Sequence, residues 1–148
     1  MNTEKYNYIL TDKKYMELHN IPRHGCTNTY DHSMKVAEHA EKLSKIFFID
    51  PDGAIKTALL HDFCLVDYSK KNDHPGLYAF YHPKEAAENS EKFGLSEKEL
   101  KAIKTHMFPL GPIPVSRLGW VIRIADISAS LRETSFGIKM VKSWFKAA

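Results

Sequence analysis

Several kinds of protein are set aside by what this 148-residue chain has little of. It carries only two cysteines, Cys26 and Cys64, far apart and in no CxxC pair. Both read as inert thiols of a reducing cytoplasm rather than as a disulfide framework or redox centre. No apolar run approaches the roughly 18–20 residues that span a bilayer. The polar stretch Met1 to Tyr8 lacks the apolar core of a signal peptide. Neither sign of charge dominates: 21 basic residues stand against 18 acidic ones, for a net +3. That balance argues against a dedicated nucleic-acid binder, which shows a clustered basic face. A modest lysine excess near a pocket would still attract an anionic small molecule. Repeats, low-complexity tracts, linkers and alternating strand patterns are missing too. What is present is a folded composition, 43% hydrophobic and 26% charged, at a length suited to one domain over residues 1–148 with one sizeable core. One excess stands out, eight histidines.

Helical periodicity predicts an all-α bundle of about six to seven helices. A first helix is expected from Glu4 to His19, ending before Ile21-Pro22, and a loop from Arg23 to Tyr30. The second runs from Thr29 or Asp31 to Phe48, with Val36, Ala40, Leu43 and Phe47 on one face and His32 four residues upstream on the same stripe. Asp50-Pro51 gives an N-cap with proline at the first helical position. The third helix, Pro51 to Phe63, is apolar around most of its circumference and therefore buried. Cys64 to Tyr81 is irregular and is expected to rim a pocket. Pro83 is read as opening a fourth helix that stops at Phe93-Gly94. Ser96 with Glu99 makes a capping box for a fifth, ending at His106 or Met107. A rigid loop, Pro109 to Pro114, precedes a sixth from Val115 to Arg132. A last amphipathic segment, Ile138 to Phe145, is expected to pack back on the body.

The pair His61-Asp62 ends two apolar stripes of a buried helix. A buried carboxylate must neutralise, pair or bind a cation, and a divalent metal uses imidazole and carboxylate together. Asp126 likewise occupies an apolar stripe, Gly119–Ile122–Asp126–Ala129. His106 follows Leu100 and Ile103 on an inward face, His82 precedes Pro83, and His32 stands in a first helical turn. Taken singly, each has a plainer reading. His61-Asp62 would cap carbonyls, Asp126 would pair with Arg123, and the other histidines would be caps or satisfied core residues.

Taken in order, His32, His61-Asp62, His82, His106 and Asp126 resemble the HD superfamily of metal-dependent phosphohydrolases over roughly Asn28 to Glu133. The wording agrees around each position: DHSMKVAEHA, ALLHDF, HPKEAAENS, IKTHMFP and IRIADISASLRE. The chain is similar to small stand-alone bacterial members with six ligands. Two departures are Leu65 and Ile127, where many dinuclear relatives carry lysine; Lys70 or Lys71 is a candidate substitute at the first, though nothing in the sequence requires it.

The resemblance implies two divalent ions, with Fe, Mn, Ni, Co and Zn not separated by ligand type and Mg a further option. Asp62 would bridge them, His32, His61 and Asp126 completing one site and His82 and His106 the other. It further implies a hydroxide held by the metals as nucleophile and a small phosphoester or phosphoanhydride, nucleotide-like, as substrate. Asp67 is the candidate acid for the leaving group. Arg23, His24, Lys35, Lys70 and Arg117 are candidate phosphate contacts. Two other readings stay open: a di-iron oxygenase with the same ligand pattern, and a non-catalytic, metal-stabilised domain that binds a nucleotide or partner. The terminal stripe Met140, Val141, Trp144 and Phe145 is either core or a homodimer contact.

Overall fold

The computed structural model describes residues 1–23, 27–67, 69–70 and 76–147, and side chains as far as residue 135. His24, Cys26, Lys71 and the stripe Met140, Val141, Trp144 and Phe145 therefore lie outside the described side chains.

The helices are α1 (Asn7–Leu10), α2 (Lys13–Met16), α3 (Thr29–Ile46), α4 (Pro51–Leu60), α5 (Tyr78–Ser90), α6 (Glu97–Lys104) and α7 (Arg117–Ala147). Short 3₁₀ turns at Glu4–Tyr6, Glu17–Asn20 and Glu91–Phe93 extend three of them. Among the described residues there is no strand, only an isolated bridge between Pro22 and Asn28. No helix of the described residues is long and apolar enough to cross a membrane.

α4 is the buried helix that its composition predicts, with Ala54, Ile55, Ala58, Leu59 and Leu60 closed off from solvent. It packs against α3, which packs in turn on α7. α5 and α6 close the other side. The predicted caps form. Asp50 accepts from the backbone N–H of Gly53 at 2.8 Å, and Ser96 and Glu99 complete a reciprocal capping box. Gly94 adopts the left-handed conformation at φ 67°. Asn28 caps α3 by accepting from Asp31 N–H at 2.8 Å.

Three boundaries differ from expectation. The first predicted helix is broken at Asp12, whose extended backbone and side-chain bond to Tyr15 N–H start a new helix. α5 begins at Tyr78, so Pro83 lies inside it rather than at its start. α7 runs on to Ala147 as one helix, where a break before Ile138 was expected.

Candidate metal centre

Four helix-based segments and one turn bring the six predicted residues to one place. His32 sits in the first turn of α3, one turn past the Asn28 cap. His61 and Asp62 stand where α4 gives way to a turn, and Phe63 N–H reaches back to Leu60 O at 3.1 Å. His82 is mid-α5, His106 lies in the turn after α6, and Asp126 is in the third turn of α7. All six are buried, at 4% exposure or less.

Each imidazole is fixed at Nδ1. His61 donates to Ala58 O, His82 to Tyr78 O and His106 to Ile103 O, all at 2.7 Å. His32 Nδ1 donates instead to a carboxylate, Glu133 Oε2, at 3.0 Å. A carbonyl or ionised carboxylate has no proton to give, so Nδ1 carries it and a neutral ring offers its lone pair at Nε2. All four Nε2 atoms face inwards. His82 Nε2 and His106 Nε2 are 3.1 Å apart.

Asp62 lies between two groups of these nitrogens. Its Oδ1 is 3.2 Å from His82 Nε2 and 3.5 Å from His106 Nε2. Its Oδ2 is 3.2 Å from His61 Nε2 and 3.7 Å from His32 Nε2. Asp126 Oδ1 is 3.1 Å from His32 Nε2 and 3.9 Å from His61 Nε2. The Arg23 guanidinium pairs with Asp62 Oδ2 at 2.6 Å. Even so, His61 Nε2 and both Asp62 oxygens make no well-aligned hydrogen bond, although solvent cannot reach them. Inward lone pairs around two carboxylates repel one another unless positive charge sits among them.

Nitrogen and oxygen donors of this kind suit a first-row divalent ion. Three overlapping triads have ligand atoms within 4.8 Å of one another: His32–His61–Asp62, Asp62–His82–His106 and His61–His106–Asp126. The donor set fits a metal.

The charges agree with this. Burial alone would raise the Asp62 pKa, but Arg23, His61 and His106 hold it well below the ordinary carboxylate range. Asp126 is also lowered, burial being outweighed by the His32 hydrogen bond and the charge of His61. Burial works against a charged His32, yet its bonds to Asp126 and Glu133 raise its pKa. Beside the cluster opens a pocket of about 580 Å³. Arg23, Arg123, His82 and Asp126 line its polar side, and Leu77, Met107, Ile127 and Leu131 its apolar wall.

The profile of the HD domain matches residues 29–131, a span that includes all six clustered residues. The chain belongs to the HD-domain family. HD domains are generally metal-dependent hydrolases, and the buried histidine and aspartate groups here could hold a metal. Curated relatives include Ribonuclease Y from two strains of Ureaplasma parvum serovar 3, each 32% identical over 108 residues. The alignment takes in 71% of this chain and 20% of theirs, so the chain spans about a fifth of the length of these curated relatives. No solved structure matches it.

The other predicted residues fare unevenly. Arg23 is in the site, held by bonds that close its loop: Arg23 N–H to Thr27 O at 2.9 Å and Thr29 N–H to Ile21 O at 2.8 Å. Lys35 is half-exposed and its ammonium is bound to Glu133 Oε1 at 3.1 Å, behind His32 rather than in the pocket. Arg117 is not brought to the cluster, because its guanidinium donates to Phe47 O where α3 ends. Asp67 is a poor candidate acid. Its carboxylate accepts from Ser69 and pairs with Lys70, and those bonds lower its pKa when a neutral acid needs a raised one. Lys70 is thereby engaged with Asp67 at 3.0 Å. Leu65 packs against the core, while Ile127 joins the pocket wall, so both positions are apolar by construction.

Sequence reasoning missed three participants. Glu133 bonds His32, and its spacing of seven from Asp126 already places both on one helix face. Tyr78 stacks on His82 with ring centroids 4.3 Å apart. Arg123, read only as a partner for Asp126, does pair with it at 3.3 Å but also lines the pocket.

Proposed function

We propose that this HD domain is a metal-dependent phosphohydrolase that cleaves a small, nucleotide-like phosphoester or phosphoanhydride, with His32, His61, Asp62, His82, His106 and Asp126 as metal ligands. The observation that carries this reading is the division of inward nitrogens across the two oxygens of Asp62, His61 and His32 towards Oδ2 and His82 and His106 towards Oδ1. That division favours two ions with Asp62 shared between them.

Divalent ions bound there would supply Lewis acidity, polarising a phosphoryl oxygen and acidifying water. The chain's own residues supply the rest. Arg23 and Arg123 carry permanent positive charge at the pocket, and their planar guanidinium groups suit phosphoryl oxygens. Asp126 orients Arg123 from behind. Leu77, Met107, Ile127 and Leu131 take the uncharged part of the substrate and keep water from the reacting group. Neither a serine nor a cysteine nucleophile is required, and burial keeps the Cys64 thiol protonated.

The test is elemental analysis of the purified chain, then phosphate release from a nucleotide panel under Mn, Co and Fe. Short RNA joins the panel because the curated relatives are named as ribonucleases. Metal-dependent release is expected, and Asp62→Ala should lose both metal and turnover. Unchanged metal content in that variant would reject the shared role of Asp62. Two irons with substrate-dependent O₂ uptake and no phosphate would point to the oxygenase, and ligand binding with no turnover to the binding domain.

A further inference from the structure

Glu133 occupies a place that neither the ligand pattern nor the substrate pocket explains. Its carboxylate is almost fully buried, at 1% side-chain exposure, a costly position for an ionised group without a purpose-built environment. Two donors meet it: His32 Nδ1 on Oε2 at 3.0 Å and Lys35 Nζ on Oε1 at 3.1 Å. The other three clustered histidines use carbonyls three or four residues upstream in their own segments. His32, in the first turn of α3, makes no such bond, although the carbonyls of Asn28 and Thr29 precede it and Asn28 O takes its backbone N–H at 3.0 Å. Its Nδ1 acceptor comes from another helix. α7 supplies it, with Asp126 at one ring nitrogen of His32 and Glu133, two turns on, at the other.

We infer that Glu133 is a positioning residue for metal binding: it fixes the ring and tautomer of His32 so that Nε2 faces the ion, and Lys35 in turn fixes Glu133. The inference rests on the reading of His32 as a ligand. Outer carboxylates of this kind orient a ligating imidazole and raise its basicity. Lys35, expected from sequence to touch substrate, takes the role of a third layer instead.

The amide of Glu133→Gln makes the test sharp. It has one acceptor oxygen for two neighbouring donors, so satisfying His32 turns its NH₂ towards the Lys35 ammonium. Co²⁺ affinity of the full chain is measured by chelator competition, with the visible Co²⁺ spectrum as a second readout. Glu133→Leu should weaken binding about 10- to 100-fold and change the spectrum. Glu133→Gln should fall in between, and adding Lys35→Met to it should recover part of the loss, an effect that a purely structural role would not produce. If Glu133→Leu fails to fold, the Gln variant with and without Lys35→Met decides the matter alone. His32→Ala is the control. Weakened binding in His32→Ala with both Glu133 variants within about twofold of the parent would overturn the positioning role and leave the ligand reading intact. Unchanged binding in His32→Ala would overturn the ligand reading, and this inference with it.

Discussion

Every clustered histidine spends one ring nitrogen on an acceptor outside the cluster and turns the other inwards, and that choice is what makes the site chemically legible at the residue scale. The types of the six residues were readable from the chain because buried carboxylates and imidazoles interrupt apolar stripes. Their partners were not, since a carbonyl acceptor leaves no mark in sequence and Glu133 lies 101 positions along the chain from His32. Asp67 and Arg117 show the opposite error: an acid or a base at a suggestive position is easily claimed by its neighbours, here Ser69 with Lys70 and the carbonyl of Phe47. Cys64 offers a check at this scale. Burial pushes its thiol from 9.0 up to about 12, so it stays neutral across the physiological range. Iodoacetamide under native conditions should leave the Cys64 peptide unmodified and label it after denaturation, as peptide mass mapping would read. Rapid native labelling would contradict the burial.

At the scale of elements, several signals whose determinant lies within four residues read true, although the Asp12 cap, three residues from Tyr15, did not. The Asp50-Pro51 start and the Ser96–Glu99 box are of this kind. Removing the second with Ser96→Ala should cost about 0.5–2 kcal/mol in urea unfolding, with the slope unchanged. A loss below that range would mean that α6 is held by packing alone. Boundaries set by tertiary context were harder to read. Pro83 looks like a helix start because it cannot donate to the carbonyl four residues before it. That carbonyl belongs to Ala79, which lines the pocket, where water can serve it. The interior proline is thus tolerated, and Tyr78 gains a place over His82.

Across the whole molecule, the cluster couples α3, α4, α5 and α7 to the turn after α6, so stability should follow its charge state. The raised His32 pKa means a contribution that is complete below its ordinary value of 6.5 and is lost as pH rises through the folded value. The lowered Asp62 and Asp126 pKa values mean a contribution that is complete above their ordinary value of 3.8 and is lost as pH falls through the folded values. The metal-free chain should therefore lose Tm below about pH 4 and again on the alkaline side, across a scan from about pH 2 to about pH 9. Saturating Mn²⁺ should remove the alkaline loss, because a cation then takes the place of the proton on His32. At about one hundred times Kd it would add about 2.7 kcal/mol. An alkaline flank unaltered by Mn²⁺ would place the metal elsewhere.

The unequal support of the four imidazoles also sets how local each one's orientation is. His61, His82 and His106 are aimed by atoms three or four positions away, and each is oriented as soon as its own stretch of backbone coils. His32 depends on a residue 101 positions downstream. The earliest of the four histidines in the chain is accordingly the one whose orientation depends on the most distant partner.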